Sequence, residues 1–260
     1  MSFDIQELRS WAGDTRLGRL WRWGRSPRGV AAILRAPEHS SKSDALRQLF
    51  PEVTEASAEK CRLELLGNNR FFSEVNSRFV PLRGRRASCE SWKEFLYMLV
   101  RFAKPSVVLE TGVFDGISSA VTLQALEDNQ KGGLVSIDLP ARKPIDGSTD
   151  RMTDTTLPAR ESPGWAIPDY LRHRFHLLEG DSRECLPRLL EQYPEIDIFF
   201  HDSLHTLEHQ YFEYTTAWPH IASGGLLVSD DIFFNSAFDM FCRQKGKKYV
   251  HVDGFGAIRK

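Results

Sequence analysis

The sequence is poor in cysteine, and its few cysteines are not paired. The four residues, Cys61, Cys89, Cys185 and Cys242, are scattered and form no CxxC spacing. A disulfide framework and a cysteine-rich zinc site both need closely spaced cysteines, so neither is expected here. Scattered thiols are typical of proteins in reducing compartments, and we predict a cytoplasmic protein whose cysteines are structural.

Long apolar runs and an excess of one charge are also missing. No stretch approaches the ~18 apolar residues of a membrane span, and Met1 to Asp4 do not begin a signal-peptide pattern, so we predict no membrane association. The formal net charge is −1, from 34 basic and 35 acidic side chains. This balance argues against nucleic-acid binding by overall charge, although it leaves room for a local basic patch.

The chain divides into two zones of different pattern. At roughly 100–200 residues per domain, 260 residues make one large domain or one domain with an extension. Residues 1–104 carry helical signals, and residues 105–260 alternate strand and helix. We predict that residues 1–104 form a helical extension that caps the second zone or mediates oligomerisation.

An Arg- and Trp-rich run at residues 16–25 lies within this extension. It fits an anion- or partner-binding arm, and it also fits an amphipathic segment that packs its tryptophans on the second zone or on another subunit. We favour the second interpretation because Arg and aromatic residues are common at protein interfaces. This interpretation predicts a homo-oligomer assembled through the N-terminal region.

The second zone has the pattern of a doubly wound α/β fold. Short apolar runs alternate with helical segments, and such βαβ units form a mostly parallel sheet with helices on both faces. We predict a Rossmann-like, seven-stranded sheet behind the N-terminal helical extension. Residues 139–164 are too long and polar for a simple connection, which indicates a functional loop such as a lid. The predicted strands are 106–110, 134–138, 174–178, 196–200, 226–229, 249–252 and 255–258.

The residues that follow the first two strands are suited to a cofactor with an amine and a ribose. In such sheets the ligand lies outside the carboxyl ends of the strands. Glu110 ends the first strand and is followed by Gly112 and Gly116, whose spacing lacks the GxGxxG pattern of a dinucleotide site. An acid at this point disfavours a diphosphate and suits a cationic amine, although a structural tight turn explains the two glycines equally well. Asp138 ends the second strand, where an acid is the usual partner of a ribose diol.

The third strand is followed by Gly180, Asp181 and Ser182. Asp181 is placed to accept a hydrogen bond from an exocyclic amine, and Ser182 is also a good cap for the next helix. Amine, ribose and adenine sites in that order describe S-adenosylmethionine.

These motifs resemble those of the class I S-adenosylmethionine-dependent methyltransferases, and the resemblance covers residues 105–260. It implies three groups of contacts with the cofactor. By position, Glu110, Gly112 and Gly116 face the methionine end, Asp138 the ribose hydroxyls, and Asp181 with Ser182 the adenine.

The fourth and fifth strands end in a cluster of acids. Asp202 follows the fourth strand, and Asp230 and Asp231 follow the fifth. Neighbouring strands lie about 4.8 Å apart, so these carboxylates repel one another unless a cation or protons intervene. Hard oxygen ligands of this kind suit Mg²⁺, which predicts a metal site; alternatively, one or two of them cap helices or bind backbone amides.

The acid cluster resembles that of divalent-metal-dependent O-methyltransferases. These include the catechol and caffeoyl-coenzyme A enzymes and, more closely, the macrocin and mycinamicin sugar O-methyltransferases. The catechol type has Asp-Asn after the fifth strand and a Lys three residues after the first Asp. Here those positions hold Asp230-Asp231 and His205, as in the sugar-directed relatives. The resemblance implies a sugar or polyketide-type hydroxyl substrate, from natural-product biosynthesis, rather than a catechol.

His205 is the candidate general base, and Asp202 is the other candidate catalytic residue. Metal ligation lowers the pKa of a hydroxyl, and a neutral imidazole then accepts the proton while the methyl passes from sulfur to oxygen. A structural histidine at a helix N-terminus is the alternative. A zinc site formed with His201 and His209 is disfavoured, because His201 ends a strand and does not share a helical face with the others.

Three other functions remain open. N-methylation of nucleic acid or protein is disfavoured, because the fourth strand lacks an Asn-Pro-Pro-Tyr-like motif and reads His-Asp-Ser-Leu-His instead. A non-catalytic binding protein on the same fold is disfavoured by the intact acidic residues. The third possibility is a relative of the cephalosporin-hydroxylase group, which shares these motifs but has a different activity.

Overall fold

The computed structural model describes residues 27–38, 41–140 and 156–260. The Arg- and Trp-rich run at 16–25 and residues 141–155 of the predicted lid lie outside the described residues. Within the described part, no helix has the length and apolar character of a membrane span.

The centre of the molecule is a seven-stranded mixed sheet, as predicted. Its spatial order is β3-β2-β1-β4-β5-β7-β6, in which β7 is antiparallel to both neighbours and the other pairs are parallel. Buried apolar runs form the central strands, which is why the short runs in the sequence identified them. The strands are β1 Val107–Thr111, β2 Gly133–Asp138, β3 Phe175–Glu179, β4 Ile196–His201, β5 Ile221–Ser229, β6 Val250–Val252 and β7 Phe255–Arg259.

Helices cover both faces of the sheet. Among the described residues, those that precede the first strand are α1 Pro27–Arg35, α2 Lys42–Leu49, α3 Glu55–Leu66, α4 Asn69–Arg83 and α5 Ser91–Ala103. Four follow it: α6 Ile117–Asp128, α7 Ser182–Gln192, α8 Leu207–Ala217 and α9 Ala237–Gln244. Short 3-10 helices at Asp169–Arg174 and Trp218–His220 lead into β3 and β5.

Helix α4 was not predicted as a separate helix. The sequence Gly67-Asn68-Asn69 predicts the end of α3, which is correct, but Asn68 also starts α4. The side chain of Asn68 accepts a hydrogen bond from the Phe71 amide at 3.0 Å and so acts as an N-cap. Two helices therefore meet at a segment whose composition predicts only a break.

The N-terminal helices share one core with the sheet. Residues of α2 to α6 pack together against one face of the sheet, while α7, α8 and α9 cover the other. Helix α5 packs along α6, where the Tyr97 hydroxyl donates to Asp128 at 2.6 Å and Asn129 donates to the Val100 carbonyl at 3.0 Å. Trp92 of α5 stacks on Phe255 of β7 with ring centroids 5.3 Å apart. A capping or oligomerising role for residues 1–104 stays a prediction.

Candidate active site at the carboxyl ends of the strands

The register of the sheet brings the predicted residues to one edge. Thr111 of β1 is paired with His201 of β4, and His201 is paired with Ser229 of β5. The next residue of each strand continues this alignment: the Asp202 amide donates to the Thr111 carbonyl at 2.7 Å, and the Asp230 amide donates to the His201 carbonyl at 2.9 Å. The glycine turn and the acid cluster are therefore immediate neighbours.

The turn after β1 requires glycine at two positions. Gly112 has φ +86°, and a Cβ there would lie 2.0 Å from the Asp202 carbonyl oxygen. Gly116 has φ +88°, and a Cβ there would lie 2.5 Å from the Cα of Gly164. Both the backbone conformation and the close approach of other backbone exclude a larger residue. The spacing of the two glycines thus follows from the packing of this turn.

Glu110 is fully buried beneath the turn. Its Oε2 accepts hydrogen bonds from the hydroxyls of Ser119 and Ser136, each at 2.7 Å, and its buried Oε1 has no partner among the described residues. Burial raises the pKa of Glu110 to about 7, although the two hydroxyls work in the opposite direction. Its predicted contact with the methionine end of a cofactor stays a prediction.

Asp138 is held by the glycine turn. Its Oδ2 accepts the backbone amides of Val113 at 2.6 Å and Phe114 at 2.9 Å. Among the described residues nothing donates to its other oxygen, Oδ1. Burial raises the pKa of Asp138, while these two amides act to lower it. The carboxylate therefore fixes the turn with one oxygen and keeps the other for a ligand hydroxyl.

The residues after β3 divide between two roles. The N-cap of α7 is Asp181, whose side chain accepts the Arg183 amide at 2.8 Å, so the expectation that Ser182 caps this helix was wrong. Ser182 is buried, and its hydroxyl donates to Oε1 of Glu213 at 2.5 Å. The helix begins at Ser182 itself, and the Ser182 side chain faces the interior. Contacts of either residue with adenine stay predictions.

Glu213 of α8 is a functional candidate that the sequence reasoning missed. It is fully buried, and its two oxygens bind five side chains. Burial acts to raise the pKa of Glu213, but the adjacent His201 and the hydrogen bonds from His201, His209 and Ser182 outweigh it and hold the pKa well below its ordinary value. The donors are Thr111 at 2.6 Å, His201 Nδ1 at 2.6 Å, Ser182 at 2.5 Å, Ser203 at 2.9 Å and His209 Nε2 at 2.9 Å.

The hydrogen bonds around Glu213 also account for two of the histidines of the disfavoured zinc site. His201 and His209 both point to Glu213, which explains them as donors to a buried carboxylate. The described ranges contain no group of three or more His, Cys, Asp or Glu side chains arranged to hold a metal ion. A histidine zinc site is therefore not formed in this part of the chain. The same finding means that Asp202, Asp230 and Asp231 do not make a ready three-ligand cage.

The acid cluster is nevertheless electrostatically crowded. Burial and the charges of Asp230, Asp231 and Glu110 raise the pKa of Asp202 well above its ordinary value. Burial and Asp231 do the same to Asp230. Asp231 has φ +49°, an uncommon backbone conformation for a non-glycine residue.

Lys93 of α5 is the second residue that the sequence reasoning missed. It is buried, and its positive charge acts to lower the pKa of both Asp202 and Asp230. Its ammonium group bonds Glu90 and lies 4.3 Å from the centroid of the Trp92 ring. A lysine on the apolar face of a helix is the one signal that the sequence offered. The N-terminal helices thus contribute a cation near the acid cluster.

His205 lies beside Asp202. Its Nε2 is 3.9 Å from Asp202 Oδ1, and that nitrogen is buried with no hydrogen-bond partner in the described structure. Burial lowers the pKa of His205 to about 3, with His201 acting in the same direction. The ring is therefore neutral at physiological pH. Its centroid lies 5.7 Å from that of the half-exposed Phe234 ring, so an apolar group flanks the imidazole.

Two cavities lie away from this edge. One, of about 550 Å³, runs along α4 between Asn69 and Arg86. The other, of about 440 Å³, lies at the opposite ends of β1, β2 and β3, near Ser106 and Phe175. Neither is lined by the strand-end residues described above.

Known methyltransferases share this architecture. Residues 109–232 match the family model described as a methyltransferase domain. The fold aligns with the O-methyltransferase from Bacillus cereus in complex with SAH at a TM-score of 0.50 and 17% identity, covering 79% of this chain and 97% of that one. It aligns with cofactor-bound Rv0187 from MTB at a TM-score of 0.52 and 14% identity, covering 80% and 98%. No curated protein sequence matches the chain. The domain match and the fold confirm the expected resemblance to class I methyltransferases.

Proposed function

We propose that this chain, which contains a methyltransferase domain over residues 109–232, transfers a methyl group from S-adenosylmethionine to a hydroxyl of a small metabolite. One observation carries the proposal: the glycine turn, Asp138, Asp202 and His205 lie along a single edge of the sheet. A cofactor site and a group able to accept a hydroxyl proton are thereby adjacent. Transfer of a methyl group needs this adjacency, because both reactants must be held in line.

The cofactor is assigned to the glycine turn and the ends of β2 and β3. Oδ1 of Asp138 is suited to accept from ribose hydroxyls, since Oδ2 is already used by the turn. Gly112 and Gly116 let a ligand approach the backbone closely. Asp181 is exposed at the start of α7 and remains our candidate for the adenine amine, with Ser182 behind it.

His205 is proposed as the general base toward the acceptor hydroxyl. Burial keeps the imidazole neutral, so its Nε2 carries a lone pair, and this nitrogen has no competing partner among the described residues. The low pKa also makes it a weak base, so it accepts a proton only from a hydroxyl whose own pKa is lowered. Asp202, 3.9 Å away, is placed to stabilise the imidazolium that forms. The apolar ring of Phe234 beside His205 excludes water from one side.

Mg²⁺ is proposed as a second cofactor, held by Asp202 and Asp230 with Asp231 beside them. The donor set fits, because Mg²⁺ needs only one or two protein carboxylates and keeps several waters. The raised pKa values of Asp202 and Asp230 reflect half-buried, mutually repelling acids of the kind that a divalent cation neutralises. When bound, the ion would supply Lewis-acid activation of the acceptor hydroxyl.

The acceptor is proposed to be a sugar or polyketide-type hydroxyl, from natural-product biosynthesis. This part rests on His205 and Asp231, which replace the Lys and Asn of the catechol type. A small-molecule partner, a reducing cytoplasmic location and a homo-oligomer complete the proposal. The four free thiols support the location.

The proposal is tested by following labelled methyl groups from S-adenosylmethionine into a panel of sugars, diols and phenols. Each reaction is run with and without a chelator, and with Asp202→Asn as the matched variant. We expect transfer to hydroxylated acceptors, inhibited by the chelator and by the substitution. Transfer that is insensitive to the chelator would contradict the metal, and transfer only to nitrogen acceptors would contradict the assigned chemistry.

A further inference from the structure

A segment that includes the last residues of the predicted lid packs over the glycine turn. We call residues 156–168 the strap. The Gly164 amide donates to the Phe114 carbonyl at 2.8 Å, and the Ala166 amide donates to the Asp115 carbonyl at 3.1 Å. Gly164 also lies so close to Gly116 that a Cβ at Gly116 would be 2.5 Å from the Gly164 Cα. Strap and turn are thus joined backbone to backbone.

Asp115, within the turn, is the point where three elements meet. Its carboxylate is buried, with 4% of the residue exposed. Arg83 of α4 binds it through two hydrogen bonds, Nε to Oδ2 at 2.9 Å and Nη2 to Oδ1 at 2.6 Å. Trp165 of the strap donates its indole N–H to Oδ1 at 2.8 Å. The same Arg83 also donates to the Thr156 carbonyl of the strap at 3.1 Å.

Aromatic packing reinforces this junction. Trp165 stacks on Phe79 of α4 with centroids 5.7 Å apart and planes 7° apart. The guanidinium of Arg83 lies 4.8 Å from the centroid of the Phe114 ring. Phe79 and Arg83 are four residues apart on α4 and so lie on one helical face. One face of an N-terminal helix therefore contacts both the strap and the turn.

The turn needs such outside support, because its backbone is strained. Gly112, Phe114 and Gly116 all have positive φ, and at Phe114, with φ +51°, that conformation is unfavourable. Strained backbone persists only where its surroundings hold it in place. The support comes from Arg83, Trp165 and the strap backbone on one side, and from Asp138 on the other.

We infer that Arg83 and Trp165 are positioning residues for the cofactor, which act through Asp115 to hold the glycine turn in its binding conformation. The inference rests on the proposed function, since it assigns the turn to S-adenosylmethionine. It makes α4 and the strap part of the cofactor site, although neither carries a cofactor motif. Loss of either contact frees the turn to relax and misplaces the Val113 and Phe114 amides that orient Asp138.

The test is calorimetric titration of S-adenosylhomocysteine into the full chain and four variants. Trp165→Phe removes only the indole N–H and keeps a ring for Phe79 to stack on. Arg83→Met removes both hydrogen bonds to Asp115. Arg85→Met is the matched control, because Arg85 lies over the Phe79 ring but makes no hydrogen bond to Asp115 among the described contacts.

We expect the dissociation constant to rise about tenfold or more in Arg83→Met, which equals about 1.4 kcal/mol, and about threefold or more in Trp165→Phe. Arg85→Met should bind as the wild type does. The unfolding midpoint without ligand is measured alongside, because a merely structural role would lower the midpoint and leave the affinity of the folded protein unchanged. Arg83→Lys, which keeps the charge and one donor, should recover part of the affinity.

The outcomes separate the inference from the proposed function. Wild-type affinity in both Arg83→Met and Trp165→Phe would overturn the inference alone. Failure of the wild-type chain to bind S-adenosylhomocysteine would overturn the assignment of the turn and, with it, the inference. If Arg83→Met does not fold, Trp165→Phe, the smallest of the changes, tests the inference on its own.

Discussion

Glu110 is a residue near the site whose charge state the fold changes at neutral pH. It is fully buried, two serine hydroxyls bind one of its oxygens, and the other oxygen has no partner in the described structure. Its pKa, ordinarily 4.5, rises to about 7 because burial disfavours the carboxylate. At neutral pH this side chain is therefore divided between the acid and the carboxylate. The negative charge that Glu110 was predicted to present to the cationic amine of a cofactor therefore depends on pH.

This shift predicts a pH dependence of stability. The folded state keeps a proton on Glu110 that the unfolded state releases above about pH 4.5, so the stabilising effect is present below 4.5 and is lost as pH rises towards 7. In Glu110→Gln this loss is absent. We expect the fall in unfolding free energy between pH 5 and pH 8 to be smaller in the variant by up to about 3 kcal/mol.

Urea denaturation at both pH values measures the difference. Glu191→Gln, an exposed glutamate on α7, serves as the control and should follow the wild type. An identical pH dependence in wild type and Glu110→Gln would show that Glu110 is ionised in the folded protein.

His205 carries the prediction for the chemical step. In His205→Gln we expect kcat to fall about 10²–10⁴-fold, because general base catalysis typically contributes that much. The affinity for S-adenosylhomocysteine should stay unchanged, since the glycine turn and Asp138 are intact. Single-turnover methyl transfer and calorimetry measure the two quantities on the same preparation. An unchanged kcat would assign proton removal to another group.

At the scale of elements, the turn between β1 and α6 is the most constrained connection. Gly112→Ala would force a Cβ to within 2.0 Å of the Asp202 carbonyl oxygen at a residue with φ +86°. We expect a loss of about 3 kcal/mol or more in unfolding free energy, since the backbone of β1 or β4 must shift. Binding of S-adenosylhomocysteine should also be lost.

Comparison with Gly246→Ala separates the steric clash of Gly112→Ala from the backbone strain that both substitutions cause. Gly246 has φ +64°, but a Cβ there meets nothing within 4 Å. We expect only the strain of about 1 kcal/mol and unchanged ligand binding. Chemical denaturation of both variants makes the comparison, and equal losses would show that the contact with Asp202 does not matter.

The sequence predicts most of the strands and helices, but it predicts fewer of the residues at which they begin and end. Strands β1, β2, β4 and β5 are short apolar runs that a buried parallel sheet demands, so their positions followed directly. Helix α4 starts within the segment that ends α3, and Asp181 rather than Ser182 caps α7. Such boundaries depend on which side chain reaches a free amide, and composition does not decide between adjacent candidates.

The sequence also predicted only part of the candidate site: it identified residues at strand ends but missed residues on helices. Asp138, Asp202 and His205 follow strands, and parallel topology alone brings strand ends together. Glu213, Lys93 and Arg83 come from helices, and their arrival at the site depends on how those helices pack. Each is a charged residue that is largely buried, which only the structure reveals.

At the scale of the whole molecule, the division of the chain at residue 104 is one of sequence pattern and not of packing. Helix α6 is buried over most of its length, between the sheet and α5. Removing the N-terminal helices would expose that face of α6 and the ring of Phe255 that Trp92 covers. The N-terminal helices therefore complete the core around the sheet.

Residues 105–260 alone are accordingly expected not to fold. Circular dichroism and hydrogen exchange of this fragment should show an unfolded or loosely packed chain, because apolar surface that α5 covers is left in water. The full chain should unfold in one transition, with coincident signals from circular dichroism and tryptophan fluorescence. A fragment that is folded and cooperative would establish residues 1–104 as a separate unit.

The assignment of the cofactor is tested most directly by calorimetric titration of S-adenosylhomocysteine into the wild-type chain and Asp138→Asn. In the variant one oxygen can still accept the amides of Val113 and Phe114, while the other position loses its ability to accept from a ribose hydroxyl. We predict binding at one site per chain in the wild type and affinity at least about tenfold weaker in Asp138→Asn, or about 1.4 kcal/mol. No binding by the wild type, or equal affinity in the two proteins, would contradict a cofactor site at the carboxyl ends of these strands.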